Sequence, residues 1–370
     1  ETTKENFNLH KLTKDINSEV VVIGGGYTGL SCAINLIENY NLDVILLEAG
    51  KIGWGASSRN GGFCSFPPIK TSFKNLQKIY GREETKKFFE NAVEGSKYTK
   101  NIINHYNIDC DVTGECNFIL AHHPNKFEQI KEQANIYKSE FGIETRLYSK
   151  EEFNDIGHEG TEQFGALSYK PGFAINPLKF VNGIAKYALS KKLKIYEHTL
   201  VDKIDKINGS YILRTKEGSV NTKKVVVSTN GFYQEGLVPQ MNSTILPVIS
   251  NIIVTRKLTK DEIDLHNFKT FSPIANTKNL LYYYRKLPDN RILFGTRGDF
   301  IGSDKSNLER SKKMEMFLKN IFPKWSNISI EYNWRGLIAM SQKLTPSIGK
   351  IENEEIYYGF GYHGVGVSSA

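Results

Sequence analysis

The chain has 370 residues, 39% of them hydrophobic and 12% aromatic, which is enough apolar material for two domains sharing a large core and too much for a disordered chain. Lysine plus arginine number 48 against 40 aspartate plus glutamate, a net charge of +8, yet the lysines are scattered among asparagine and isoleucine. No basic stripe interleaves with aromatics, so the charge argues against a nucleic-acid partner and leaves a shallow basic face for anionic lipid as the lesser alternative.

The polar stretch Glu1–Ser18 lacks the apolar core of a secretory signal, and no apolar run approaches the roughly 20 residues of a membrane span. A cytoplasmic protein without a transmembrane segment is expected. The first predicted element is the strand Val20-Val21-Val22-Ile23, which breaks into glycines and restarts as a helix with Leu30, Ala33, Ile34 and Ile37 at i, i+3, i+4 and i+7. Gly24, Gly26 and Gly29 spell G-x-G-x-x-G: the first permits a sharp turn, the second admits a pyrophosphate to the backbone, and the third lets helix and strand pack closely. Free N–H groups and the positive end of the helix dipole suit a diphosphate. A second strand, Val44 to Leu47, ends in Glu48, about 20 residues beyond the loop, where a carboxylate would accept a ribose 2′-hydroxyl and repel a 2′-phosphate. The alternative is an ordinary βαβ unit in which Glu48 only caps a strand.

Next comes Gly53-Trp54-Gly55-Ala56-Ser57-Ser58-Arg59-Asn60-Gly61-Gly62, whose small residues can wrap backbone N–H groups around a second face of the diphosphate. Together with Ile23-Gly24-Gly25-Gly26-Tyr27-Thr28-Gly29-Leu30, this run resembles the D-amino-acid oxidase and glycine oxidase superfamily of FAD-dependent amine oxidoreductases. It is most similar to the γ-glutamylputrescine oxidase-like branch, with Ser58 in place of a glycine. The resemblance implies FAD as cofactor, held by Gly24, Gly26, Tyr27, Thr28, Gly29, Glu48 and Ala49 and then by Gly55, Ala56, Ser57, Ser58, Arg59, Asn60, Gly61 and Gly62. The family's covalent flavin attachments, a histidine near Arg59 or a later cysteine, have no counterpart, so non-covalent binding is expected.

An amphipathic helix is predicted over Gly81–Tyr106, then a strand near Asn117-Phe118-Ile119-Leu120, a helix from about Lys126 to Phe141 and a short one at Glu151. Asn176-Pro177 supplies a cap and a first-turn proline for a further helix. Strands follow at Leu193–Tyr196, Leu200–Ile207, Tyr211–Thr215 and Lys223–Ser228. The run Val225 to Gly231 resembles the family's return into the nucleotide domain, which implies cofactor contacts at Val201, Thr229, Asn230 and Gly231. Asn251–Arg256 reads as a strand, and Leu281–Arg285 turns through Pro288-Asp289-Asn290 into Arg291–Gly295 as a hairpin. A helix carrying Met314, Phe317, Leu318 and Ile321 ends before Pro323.

Near the end, Gly336 and the run Gly361, His363, Gly364, Val365 and Gly366 complete the expected cofactor set, because a glycine-rich turn can aim N–H groups at the flavin N1 and C2 oxygen. Family members continue into a helix here, so one is expected beyond Ala370. The fold class expected is α/β: a Rossmann-like FAD-binding domain from residues 1–75, 165–235 and 325–370, with a discontinuous α+β substrate domain from 76–164 and 236–324 built on an antiparallel sheet. Cys32, Cys64, Cys110 and Cys116 form no CxxC pair and no metal spacing, which fits a reducing compartment and no metal site.

The resemblance implies oxidation of a primary or secondary amine by hydride transfer to flavin N5, with the imine hydrolysing afterwards. The partners are then a small amine and an electron acceptor, either oxygen or a respiratory carrier. Tyr282 and Tyr284 share a face by period two and Arg297 follows the return strand, where related sarcosine oxidases are similar in spacing and place pocket residues; that resemblance implies substrate-facing candidates here, alongside His363. The alternative is aromatics covering a sheet, an arginine on its rim and a histidine bonded locally. Amino-acid oxidases of the family place a carboxylate-clamping arginine after the Gly-Leu pair, where this chain has Ile338; Arg335 is the nearest substitute. Sarcosine oxidases carry an oxygen-activating lysine in the strand matching Ile292-Leu293-Phe294, and none stands here. Two rival readings stay open: a glycine, D-amino-acid or sarcosine-type enzyme, and a flavin-binding protein without turnover.

Overall fold

Val20–Ile23 are apolar at every position, and the structure buries them on both sides in the middle of a parallel sheet. The computed structural model describes residues 5, 7–66, 72–298 and 302–370, so part of the polar stretch Glu1–Ser18 lies outside the described residues. Strand Ile16–Ile23 pairs with Ser219–Val227 on one side and Val44–Leu47 on the other, placing Val22 between Val226 and Leu46. Lys194–Tyr196 and Ile356–Phe360 extend the sheet in parallel at either flank. Ser347–Lys350 closes one edge antiparallel, and the meander Lys203–Ile207 and Ser210–Arg214 joins Ser219–Val227. Helices Tyr27–Tyr40 and Pro177–Ser190 bury Leu30, Ala33 and Ile34 with Val181, Ile184 and Ala185 on one face. The Asn176 side chain accepts the Lys179 N–H and Pro177 opens the helix, as the sequence predicts.

The second sheet runs Ile330–Ser341, Ile245–Thr255, Ile292–Arg297, Tyr282–Lys286, Ile274–Asn276, Asn117–Leu120, Ala166–Tyr169 and Thr145–Tyr148. Every pairing is antiparallel except that of Ile274–Asn276 with Asn117–Leu120. Two of these strands depart from the expected division. Ala166–Tyr169, placed with 165–235, and Ile330–Ser341, placed with 325–370, both hydrogen-bond inside the second sheet. The latter pairs with Ile245–Thr255 along its whole length, from Ile245 opposite Ser341 to Thr255 opposite Ile330. Helix Asp304–Ile321 covers one face, where Met314, Leu318 and Ile321 meet Ile253, Tyr282, Tyr284 and Phe294.

The predicted helix Gly81–Tyr106 belongs to a longer element, Phe73–His105, interrupted at Gly81 (φ 78°, ψ 171°). The predicted strand Leu200–Ile207 starts only at Lys203, and Asn251–Arg256 begins earlier, at Ile245. Among the described residues no helix is long and apolar enough to cross a membrane, and no cluster of histidine, cysteine or acidic side chains could hold a metal ion. All four cysteines are free.

Candidate active site

One cavity of about 1240 Å³ runs from the nucleotide loop to the open face of the second sheet, larger than the usual small-ligand pocket of ~300–1,000 Å³. At one end Gly24 adopts φ +109°, and a Cβ on Gly29 would fall 1.9 Å from the Gly24 carbonyl oxygen. Gly29 therefore serves contact between helix and strand and does not reach the cavity wall. A Cβ on Gly26 would lie 2.8 Å from Ser57 Oγ, so its absence keeps the cradle open. The first turn of helix Tyr27–Tyr40 holds no acid and no side-chain cap, which leaves N–H groups for an anion. The Tyr27 N–H donates to Ser57 Oγ at 3.0 Å, tying the two glycine-rich loops together.

Glu48 closes the strand Val44–Leu47 and faces the cavity with Ala49 and Val201. Its carboxylate accepts N–H groups from Gly25 and Gly50, each at 2.7 Å, which fixes both oxygens while leaving each a lone pair for a hydroxyl. Burial raises its pKa against the pull of those two bonds. Thr229 and Asn230 follow the return strand on the same wall. Thr229 Oγ1 is buried without a partner among the described residues, and Asn230 Oδ1 accepts the Gly361 N–H at 3.0 Å.

Toward the second sheet the wall passes Gly55, Ala56, Ser57, Arg59, Asn60 and Gly61. Arg59 stacks over Trp54 at 4.3 Å, and its carbonyl accepts from Trp334 Nε1 at 2.8 Å. Burial, and then repulsion from Arg335, lowers its pKa. Gly336, His363, Gly364, Val365 and Gly366 form the opposite wall. His363 is wholly buried, with Nε2 3.2 Å from Ser341 Oγ and Nδ1 3.3 Å from Met340 Sδ, so it is both at the wall and held locally. Ser58, Gly62, Gly231 and Gly361 stand beside the cavity and do not line it.

The substrate-facing tyrosines are corrected. Tyr282 and Tyr284 point to the helix-covered core, Tyr282 stacking on Phe317 and the Tyr284 hydroxyl meeting His158 Nε2 at 2.9 Å. It is Tyr283 that lines the cavity, with its hydroxyl 3.0 Å from Ser250 Oγ and its pKa pushed up to about 12 by burial. The period of two is right and the face is inverted. Arg297 reaches the cavity, being opposite Ser250 and two residues beyond Gly295, which faces Tyr283. Arg335 does not: it donates to Ser303 O and pairs with Asp304 at 3.1 Å. Sequence reasoning also missed the aromatic lining of Phe66, Phe73, Phe89, Tyr137 and Tyr169. Gly295 was the available signal, since a Cβ there would overlap the Tyr283 ring at 2.1 Å, marking the strand face on which an aromatic lies flat.

A cradle open at Gly26, an oriented acid, an unsatisfied threonine hydroxyl and a cavity of about 1240 Å³ all fit a flavin dinucleotide. These features define a flavin-dependent oxidoreductase, and the chain belongs to the FAD dependent oxidoreductase (DAO) family, which it matches over residues 19–370. Its cofactor is FAD. Among individual proteins it is similar to gamma-glutamylputrescine oxidoreductase of Escherichia coli (strain K12), 29% identical over 363 residues, which cover 96% of this chain and 82% of that one. It is also 29% identical to a probable oxidoreductase, OrdL, of Haemophilus influenzae over 374 residues, covering all of this chain and 84% of the other. Glycine oxidase from Geobacillus kaustophilus has the same fold, with a TM-score of 0.77 at 16% identity over 95% of this chain and 91% of that one.

Proposed function

We propose that this chain oxidises a primary or secondary amine at its C–N bond, yielding an imine that hydrolyses to an aldehyde plus an amine or ammonia. The observation that carries the reading is the aromatic end of the cavity, where Phe66, Phe89, Tyr137, Tyr169 and Tyr283 surround a space continuous with the FAD cradle. FAD, when bound, supplies the acceptor for the hydride and its two electrons. The protein's part is binding and desolvation. An apolar chamber disfavours an ammonium and so delivers the amine uncharged, which is the reactive form. Tyr283, steadied by Ser250, offers a hydroxyl whose high pKa keeps it neutral while it orients the substrate nitrogen. The glycine-rich turn at Gly364–Gly366 lines the cavity, and its backbone would stabilise the end of the cofactor that gains charge. The similarity to gamma-glutamylputrescine oxidoreductase supports an amine carried on an extended chain. Four free cysteines support a reducing, cytoplasmic setting.

Arg297 on the cavity wall favours a second reading, in which the substrate also carries a carboxylate, as an amino acid does. Anaerobic addition of an amine panel to the FAD-bound protein tests both. Bleaching of the flavin by any member supports amine oxidation, and colour persisting with all of them overturns it in favour of a binding protein without turnover. Admitting oxygen afterwards separates oxygen from a respiratory carrier as the acceptor. Arg297→Met should raise KM about tenfold or more for acid-bearing amines, consistent with losing a charged hydrogen bond of roughly 1.5–3 kcal/mol. A KM unchanged for every acid-bearing amine rules out the second reading.

A further inference from the structure

The second sheet carries a buried charge, Arg285, outside the residues that line the cavity. Arg285 stands two residues beyond Tyr283 on strand Tyr282–Lys286, so both side chains leave the same face. They press on consecutive residues of the flavin loop. The Tyr283 ring comes within 3.1 Å of where a Cβ on Gly61 would sit, and Arg285 Nη2 within 2.9 Å of one on Gly62. Gly61 and Phe63, on either side of Gly62, line the cavity. The guanidinium therefore lies one residue's thickness behind the wall.

Arg285 is only 3% exposed. Its Nη2 donates to the Ile175 carbonyl at 2.6 Å, while Nε and Nη1 are buried with no partner among the described residues. Among the described residues no carboxylate hydrogen-bonds to it. Asp111 acts on it only at a distance, its own oxygens being held by Lys179 at 2.6 Å and Asn176 at 3.2 Å. Burial lowers the Arg285 pKa to about 10, which still leaves it charged at neutral pH. Keeping such a charge dry costs desolvation that an apolar side chain of the same volume would avoid. In those surroundings its field is weakly screened.

We propose that Arg285 is an electrostatic positioning residue: acting through the Gly61–Phe63 wall and tempered by Asp111, it raises the reduction potential of the bound FAD by favouring the reduced, more negative form. The inference depends on FAD occupying the cavity and is independent of which substrate reduces it. The test compares the midpoint potential of the FAD-bound full chain, reduced slowly with dithionite beside a reference dye, in wild type, Arg285→Met and Arg285→Lys. FAD content is measured separately by absorbance. The expected result is a more negative potential in R285M and a near-wild-type potential in R285K. R285M that holds FAD at the wild-type potential overturns the proposal. Should R285M fail to fold or to hold FAD, Asp111→Asn decides: a more positive potential supports the proposal, and an unchanged one overturns it.

Discussion

At the level of single residues, Glu48 shows how a short motif carries its own geometry. The carboxylate is aimed by two backbone N–H groups of the turns it serves, Gly25 and Gly50. An amide must present an NH2 group to one of those donors, so Glu48→Gln loses a charged hydrogen bond and the preferred ribose acceptor together. With ~1.5–3 kcal/mol at stake, FAD affinity should fall about 10- to 100-fold, read by fluorescence titration of the apoprotein. That Glu48, Gly24, Gly26 and Arg59 would share one cavity was legible because the chemistry fixes residue type and spacing at once. Tyr283 was not, because Tyr282–Lys286 has aromatic or long side chains on both faces and alternation alone does not say which face a helix covers. Arg335 was misread as a possible clamp for a similar reason, since its nearness in sequence to Gly336 says nothing about the ion pair with Asp304.

Single elements carry their own signatures of strain and burial. Gly81 interrupts Phe73–His105 at φ 78° and ψ 171°, a backbone state open to glycine and strained for any side chain even though no atom lies within 4 Å of a Cβ there. Gly81→Ala should cost ~1–3 kcal/mol, visible as a lower urea midpoint with unchanged m-value. The same glycine explains why the element was read only from Gly81 onward: it ends one helical pattern and starts another. Strand Tyr282–Lys286 is joined to the covering layer by His158, which lies among Phe153, Phe268 and Phe322 with its pKa lowered by burial from 6.5 to about 3. Because the folded value lies below the unfolded one, the unfolded chain binds the extra proton. Stability is therefore fully present above about pH 6.5 and declines as pH falls toward 3. His158→Phe should lessen the fall in urea midpoint between pH 7 and pH 4.5, and an identical fall in both proteins would show that His158 contributes nothing to it.

Among the described residues the two eight-stranded sheets meet at one cavity, and FAD bound across it would link their stabilities. Ligand at about 100 times its Kd adds ~2.7 kcal/mol to the folded state, so the melting temperature should rise with FAD concentration and keep rising beyond saturation. The discontinuous architecture was readable from the return strand Ser219–Val227, which lies between Ile16–Ile23 and Ile356–Phe360, the strand that leads into the C-terminal glycines. The division of strands was less readable. Ile330–Ser341 looks like part of the cofactor portion by position, because Gly336 lines the cavity, yet its hydrogen bonds belong to the second sheet. A residue can face the cofactor from either sheet, and sequence order does not record which one holds it.

The central claim is that one dinucleotide spans this cavity with its redox ring at the second sheet, and a crystal structure of the FAD-reconstituted protein tests it most directly. The account predicts density with the ribose at Glu48, the diphosphate at Gly24–Gly26 and Ser57, and the ring bounded by Tyr283 and His363. Density for a nicotinamide, an empty cavity, or a flavin ring lying away from Tyr283 would contradict it.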